Sequence, residues 1–336
     1  MTSYYFQIRS AAFSMSTHAS ASPLTIESSV VLALSAFSDP TEVFLVRQHA
    51  LYFVARIIRS LLSSSDPEQE QAFALVMLAV KRAGFYDSCV RYVTEMRGVV
   101  EHQGYNNQTL DVTMISTYFE ECSTDMKYSP GYDSLFSMLG GVLEVCLALS
   151  NVTMYKDVTL LLKPLYSLIT MDLLKAIVLF NGDPSLDMYC ECFSKVLELI
   201  LLNGANQFYF DSAKDCTLFQ TVCNLVCYSC EKKSVIKLKE FCLHFIEKIT
   251  PQGSSVFDEQ WSVLVPFLIT FLTNPQLQHN TLRILLVHLQ ESKKKPSCLA
   301  VYLSNNKSMT DTMSKNLFSL LCTAKVRSLS TRNCTF

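Results

Sequence analysis

The chain has 336 residues, of which 49% are hydrophobic and 17% are charged, and it contains only 9 glycines and 10 prolines. Glycine and proline supply the turns of β-rich and loop-rich folds, so this composition argues against such folds. The formal net charge is −2, and although the second half is more basic than the first, neither half is as basic as a dedicated nucleic-acid-binding protein.

A proline that follows a small polar residue precedes an apolar stretch at six places along the chain. The six pairs are Ser22-Pro23, Asp39-Pro40, Asp66-Pro67, Ser129-Pro130, Asp183-Pro184 and Asn274-Pro275. A Ser, Asp or Asn side chain accepts hydrogen bonds from the free N–H groups of a first helical turn. Proline suits the first helical position because its missing N–H has no partner there. We therefore predict that these prolines begin helices.

Between these pairs the apolar residues recur every three or four positions, which is the period of amphipathic helices. The period predicts helices over residues 42–62, 67–83, 85–102, 109–121, 132–149, 158–169, 171–180, 185–202, 216–230, 235–249, 257–272, 276–289, 297–303 and 310–324. Gly84 is predicted to adopt a left-handed conformation after the second of these helices. Pro266 should kink the helix that contains it. Gly140-Gly141 indicates either a kink or close packing against a neighbouring helix.

Short connections between successive helices favour antiparallel neighbours, and helices that are apolar on two sides favour a layered stack. The sequence therefore predicts an all-α fold with one α-solenoid domain over residues 23–325. Residues 1–22 are predicted to be a disordered lead, and residues 326–336 a frayed tail.

The thirteen cysteines lie mostly in apolar helical stretches, where a free thiol packs as a small hydrophobic residue. We therefore expect unpaired thiols in a reducing compartment. Cys216, Cys223, Cys227 and Cys230 are the candidate metal ligands, and the last three share one face of the predicted helix. A zinc site normally needs a second pair of ligands from another turn, and this pair is missing here. The interpretation as buried core residues is favoured over a cysteine-ligated metal protein.

No motif of an enzyme occurs in the chain. The sequence has no paired histidines with metalloprotease spacing and no glycine-rich phosphate-binding loop. His244 lies among apolar residues and is interpreted as a half-buried, hydrogen-bonded side chain, and a lone base is not by itself a catalytic site. We predict that the protein is not an enzyme and uses no cofactor.

Basic residues and a single tryptophan are the candidate partner-binding residues. They are Lys232, Lys233, Lys237, Lys239, Trp261, Lys293, Lys294 and Lys295. If the helices stack, the lysines could line one edge and bind an acidic protein or a phosphate backbone. Tryptophan often anchors interfaces, although in a helix stack it is as often a core residue.

The chain resembles the armadillo/HEAT class of α-solenoids over residues 23–325, through its serial helices and its lack of strands and active-site motifs. This resemblance implies a right-handed superhelical stack of antiparallel helices. Residues 128–135 and 160–165, with the sequences Tyr-Ser-Pro-Gly-Tyr-Asp-Ser-Leu and Leu-Leu-Leu-Lys-Pro-Leu, look like the later part of the vertebrate meiosis inhibitor family. That resemblance implies a role in meiotic double-strand-break formation and a nuclear location. Because the members of that family are much longer, it also implies that this chain is a fragment or a short isoform.

The leading functional prediction is a non-enzymatic scaffold that binds other proteins. The alternatives are a nucleic-acid-associated solenoid that uses its basic C-terminal half, and the cysteine-ligated metal protein. The longest uncharged apolar run, residues 263–272, is too short to cross a bilayer. We therefore predict an intracellular protein, nuclear or cytoplasmic, with protein partners and without membrane association.

Overall fold

The structure is a computed structural model. It describes residues 22–39, 42, 44–63, 66–102, 132–150, 161–162, 165, 168–180, 183–202, 217–249, 258–291 and 298–333. The predicted helix over 109–121 lies outside the described residues, as does most of the one over 158–169.

Thirteen α-helices and no strand occur among the described residues, which confirms the predicted all-α fold. They are α1 (Pro23–Ser38), α2 (Phe44–Leu62), α3 (Pro67–Arg82), α4 (Phe85–His102), α5 (Tyr132–Leu149), α6 (Met171–Phe180), α7 (Asp183–Leu202), α8 (Thr217–Cys227), α9 (Lys233–Ile249), α10 (Asp258–Phe271), α11 (Gln278–Glu291), α12 (Cys298–Asn305) and α13 (Lys307–Asn333). Within the described ranges, no helix is both long enough and apolar enough to cross a bilayer.

Two of the predicted proline-containing caps have the expected geometry. At the start of α1, the Ser22 hydroxyl accepts from the Thr25 backbone N–H at 3.4 Å. At the start of α3, the Asp66 carboxylate accepts from the Glu68 N–H at 3.1 Å. Both side chains satisfy donors that a helix leaves free in its first turn, so the sequence pattern correctly located these two starts.

The remaining proline pairs differ from this arrangement or cannot be compared with it. Asn274 accepts from the Gln276 N–H at 2.9 Å and begins a turn, and α11 starts only at Gln278. Asp183 is the first residue of α7 itself. Pro40 and Pro130 lie outside the described residues.

Contacts between residues divide the chain into two units, Met1–Asn203 and Gly204–Phe336. In the first unit, α1 packs against α2 and α3, α2 packs against α5, and α7 packs against both α5 and α6. Its core contains the fully buried side chains Leu34, Phe37, Leu51, Ile58, Phe85, Met96, Leu135, Phe136 and Phe193. The contacts of α5 with both α2 and α7 place it between these two helices.

The glycine pair of α5 permits this close packing. A Cβ atom on Gly141 would lie 3.1 Å from the Cβ of Leu51 in α2, and one on Gly140 would lie 3.2 Å from the Tyr52 hydroxyl oxygen. Both distances are shorter than ordinary carbon contacts. Because α5 runs unbroken through the pair, close packing rather than a break in the helix explains the two glycines.

In the second unit, α8 packs against α9 and α10, α9 against α11, and α10 against α12 and α13. The buried rings of Phe219 and Trp261 bring α8 and α10 together, with centroids 6.5 Å apart. Pro266 lies inside α10, which continues to Phe271, and the expected kink at this proline stays a prediction.

Two boundaries in the second unit differ clearly from the sequence prediction. Helix α8 ends at Cys227, where the Tyr228 N–H donates to the Leu225 carbonyl at 3.1 Å in a tighter turn, so Cys230 does not extend the helical face. Helix α13 continues to Asn333, beyond the predicted end at residue 324. Gly84 has the predicted left-handed conformation, with φ of +59°.

Candidate functional site

The last turns of α2, α5 and α7 meet at a surface cleft in the first unit, with a volume of about 460 Å³. We call it the helix-end cleft. It is lined by Arg59, Leu62, Ser63, Glu144, Leu147, Ala148, Ser150, Lys195, Glu198 and Leu202. The pairs Arg59/Leu62, Glu144/Leu147 and Lys195/Glu198 are each three residues apart, so each helix contributes side chains from one face near its C-terminal end.

A charged network forms the floor of the cleft. The Lys195 ammonium donates to Glu144 at 2.8 Å and to Glu191 at 2.5 Å, and Arg59 also pairs with Glu144. Only 11% of the Lys195 side chain and 14% of the Glu144 side chain are exposed. Glu144 therefore connects one cation from α2 with one from α7, so all three helices take part in the network.

The partners of Lys195 determine its protonation. Burial by itself would lower the pKa of Lys195, but its hydrogen bonds to Glu144 and Glu191 outweigh burial and raise the pKa. The lysine is therefore a fixed cation at neutral pH. It cannot serve as a neutral amine nucleophile there, which argues against amine chemistry in the cleft.

The glycine pair also creates space for this network. A Cβ atom on Gly140 would lie 3.8 Å from the Cys192 sulfur and 3.9 Å from the Lys195 nitrogen, in addition to its contact with Tyr52. Side chains of α2 and α7 therefore approach the backbone of α5 closely at Gly140. Glu144 follows one turn later, where it reaches cations on both neighbours.

Buried polar groups near the cleft serve the packing of the same three helices. The Tyr52 hydroxyl donates to the Ser137 carbonyl at 3.3 Å, and the Cys192 thiol donates to the Phe136 carbonyl at 3.1 Å. Burial raises the pKa of Tyr52 and raises the pKa of Cys192 to about 12. Both groups are therefore protonated at neutral pH and act as hydrogen-bond donors rather than as nucleophiles.

The rim of the cleft is apolar and exposed. Leu62 at the end of α2 is 41% exposed, and Leu202 at the end of α7 is 50% exposed. Two serines cap neighbouring helix ends. The Ser63 hydroxyl donates to a carbonyl of the last turn of α2, and the Ser150 hydroxyl donates to a carbonyl of the last turn of α5. The cleft therefore combines a charged floor with apolar sides, which is the usual composition of a binding pocket.

The candidate residues predicted in the second unit separate into two groups. Lys232, Lys233 and Lys237 are exposed at the start of α9. Trp261 is only 2% exposed and packs in the core, and Lys239 is 7% exposed. Trp261 and Lys239 therefore do not form a surface with the other three. Lys293, Lys294 and Lys295 lie outside the described residues.

The buried Lys239 side chain has an aromatic neighbour rather than an acidic one. Its ammonium group is 5.9 Å from the centroid of the Phe271 ring in α10. Burial lowers the pKa of Lys239, and only the nearby thiols of Cys230, Cys227 and Cys242 oppose this effect. No carboxylate of the described residues pairs with it, in contrast with Lys195.

Three of the four cysteines that were considered as metal ligands lie in the described part of the chain. Cys223 is buried, whereas Cys227 and Cys230 are half-buried, and all three are free thiols. Burial raises the pKa of Cys227 to about 11. No group of three His, Cys, Asp or Glu side chains in the described ranges is placed to hold a metal ion, and Cys216 lies outside them.

The charged network was missed in the sequence, although the sequence contained a signal for it. Glu144 is the only charged residue of the apolar stretch 134–150, and Lys195 is the only basic residue of the stretch 183–202. Buried charges in proteins are normally paired, so two such residues are natural partners. No protein-family model matches this chain, and no curated protein is significantly similar to it.

Proposed function

We propose that the protein is a non-enzymatic scaffold that binds another protein through the helix-end cleft. The observation that carries this proposal is the combination of two exposed leucines with a fixed charged floor at the meeting point of three helices. Burial of the apolar rim would supply binding free energy, and the charged groups would orient the partner. Because these charges are already paired, covering them costs less desolvation free energy than covering unpaired charges. Such a surface recognises a partner without changing it chemically.

The order of packing in the second unit supports the proposal of an armadillo/HEAT-like arrangement. In the second unit α8 lies against α10, α9 against α11, and α10 against α12, so alternate helices are neighbours. This order is expected where helix pairs stack in successive layers. The right-handed superhelix and the meiotic role remain predictions from the resemblance, as does the nuclear location.

Comparative affinity purification tests the proposed function. The wild-type chain and a Leu62→Glu/Leu202→Glu variant would be used to capture proteins from the tissue that expresses this chain. The control is Leu24→Glu, because Leu24 is 67% exposed on α1 of the same unit and does not line the cleft. We expect proteins that bind the wild type and the control but not the double variant. Identical sets of bound proteins for all three would contradict the proposal.

A second candidate function is association with a polyanion through the exposed lysines of α9. Lys232, Lys233 and Lys237 are exposed around the first two turns of that helix, where they add positive charge to a helix N-terminus. Binding of a labelled DNA duplex should then weaken steeply with salt, and changing the three lysines to glutamine should reduce the slope by about 3. A salt-independent signal would exclude phosphate contacts.

A further inference from the structure

We propose that the helix-end cleft recognises a lysine or arginine side chain that is flanked by apolar residues in a partner segment. This proposal rests on the proposed function and specifies the chemistry of the partner. It follows from the balance of charges in the cleft, the ends of the three helices, and the shape of the apolar rim.

The cleft and its network contain more negative than positive groups. The cations are Arg59 and Lys195, whereas the carboxylates are Glu144, Glu191 and Glu198. Arg59 and Lys195 are both paired with Glu144, and Lys195 is also paired with Glu191. Glu198 is exposed and forms no ion pair with any described residue. One carboxylate is therefore available to a cation from outside.

The three helix ends add negative potential at the same place. The C-terminal end of a helix carries a partial negative charge of about half an electron, because its last carbonyl groups point outward. The last turns of α5 and α7 contain no basic residue that would neutralise this charge, whereas the last turn of α2 contains Arg59. A cation that enters between these ends is therefore favoured by the ends of α5 and α7.

The shape of the cleft suits a long basic side chain. Lysine and arginine have apolar stems that pack on apolar surfaces while the charged end remains at a polar group. Leu62, Leu147 and Leu202 provide apolar surface along the walls, and Glu198 lies beside Leu202 one turn earlier on α7. An acidic side chain in the same position would face an unpaired carboxylate and helix ends of like sign, which is unfavourable.

The test uses two labelled helical peptides with identical leucines and a central residue that is lysine in one and glutamate in the other. Fluorescence anisotropy with the full chain should show about tenfold tighter binding of the lysine peptide, as expected for one charge-assisted hydrogen bond. In the chain, Glu198→Gln should remove this difference. The control Glu95→Gln, an exposed change of equal charge on α4, should leave it intact.

The outcomes separate this proposal from the function on which it rests. Equal binding of the two peptides, no binding of the lysine peptide, or an equal effect of Glu198→Gln and Glu95→Gln would overturn the assignment of a basic partner. If Leu62→Glu/Leu202→Glu still prevents the capture of cellular proteins, the cleft remains a protein-binding site of other specificity. If that variant captures the same proteins as the wild type, the proposed function fails as well.

Discussion

Two buried lysines in this chain have opposite electrostatic surroundings. Lys195 in α7 is held by two carboxylates, whereas Lys239 in α9 lies against an aromatic ring without a carboxylate among the described residues. The carboxylates outweigh the effect of burial on Lys195 and raise its pKa, whereas burial lowers the pKa of Lys239. Because a shift in pKa on folding is also a change in stability, the two residues should respond to mutation in opposite ways.

Replacement of Lys195 should destabilise the protein. Lys195→Met removes a cation from a largely buried network and leaves Glu144 with Arg59 alone, so we expect a loss of about 1–3 kcal/mol in the free energy of unfolding. Urea unfolding at neutral pH measures this loss. The matched control is Lys175→Met on α6, where the side chain is exposed and the effect should stay below about 0.5 kcal/mol.

The pH dependence of the same variant provides a second measurement. A lysine whose pKa is higher in the folded state binds its proton more tightly there, so its contribution is complete below the ordinary pKa of 10.5 and declines at higher pH. The difference in stability between the wild type and Lys195→Met should be constant between about pH 7 and 9 and should shrink above about pH 10.5. A difference that grows with pH would contradict the assignment of Lys195 as a stabilising cation.

Replacement of Lys239 should not destabilise the protein at neutral pH. Lys239→Met keeps the apolar stem and removes a charge that burial disfavours, so we expect no change or a gain of up to about 1 kcal/mol. Because the pKa of Lys239 is lowered, any gain should be largest at neutral pH and should vanish towards pH 10.5. Thermal unfolding at pH 7 and pH 10 tests both statements, and a lower melting temperature at pH 7 would contradict them.

At the scale of elements, the spacing of α2 and α5 depends on two glycines. Alanine normally stabilises a helix by about 1 kcal/mol relative to glycine. At residue 141, however, the added Cβ would lie 3.1 Å from the Leu51 Cβ, which is fixed to the backbone of α2 and cannot rotate away. The packing conflict should therefore outweigh the gain in helix propensity.

We expect Gly141→Ala to lower the free energy of unfolding by about 1–2 kcal/mol. Gly140→Ala should cost less, because its nearest neighbour is the outer end of the Tyr52 side chain, which can move. Thermal unfolding of the two variants compares them directly. Stabilisation by Gly141→Ala would show that the two helices are further apart than described here.

Individual helices were predictable from the sequence, but the cleft was not. The bounds of α4, α5 and α6 match the prediction, because the apolar period and flanking glycines define them locally. The charged network depends on which helices become neighbours, and Arg59 and Glu144 are 85 positions apart in the chain. Local patterns do not show which helices become neighbours. The sequence therefore indicated the clustered lysines of α9 as candidate binding residues but did not indicate Lys195.

At the scale of the whole molecule, the cysteines lie mostly in the interior of the described parts. Cys89, Cys146, Cys190, Cys192, Cys223 and Cys242 are buried, Cys227 and Cys230 are half-buried, and Cys322 is exposed. The prediction that cysteines pack as small core residues is confirmed for these six buried cysteines. The reducing compartment stays a prediction.

This distribution predicts the order in which the nine described thiols react. Iodoacetamide should label Cys322 first in the native protein, then Cys227 and Cys230, and the buried six only after unfolding, because alkylation needs an accessible thiolate. Mass spectrometry of the labelled peptides measures the order. Early labelling of Cys192 or Cys223 in the native protein would contradict the described burial.

The exposed thiol on α13 has a practical consequence. Cys322 lies on the same helix as Phe318 and Leu321, whose side chains are each 69% exposed, at the outer surface of that helix. A polarity-sensitive fluorophore attached there would sit beside both apolar side chains. Its emission would report directly when that surface becomes covered, during purification, crystallisation or titration with any candidate protein.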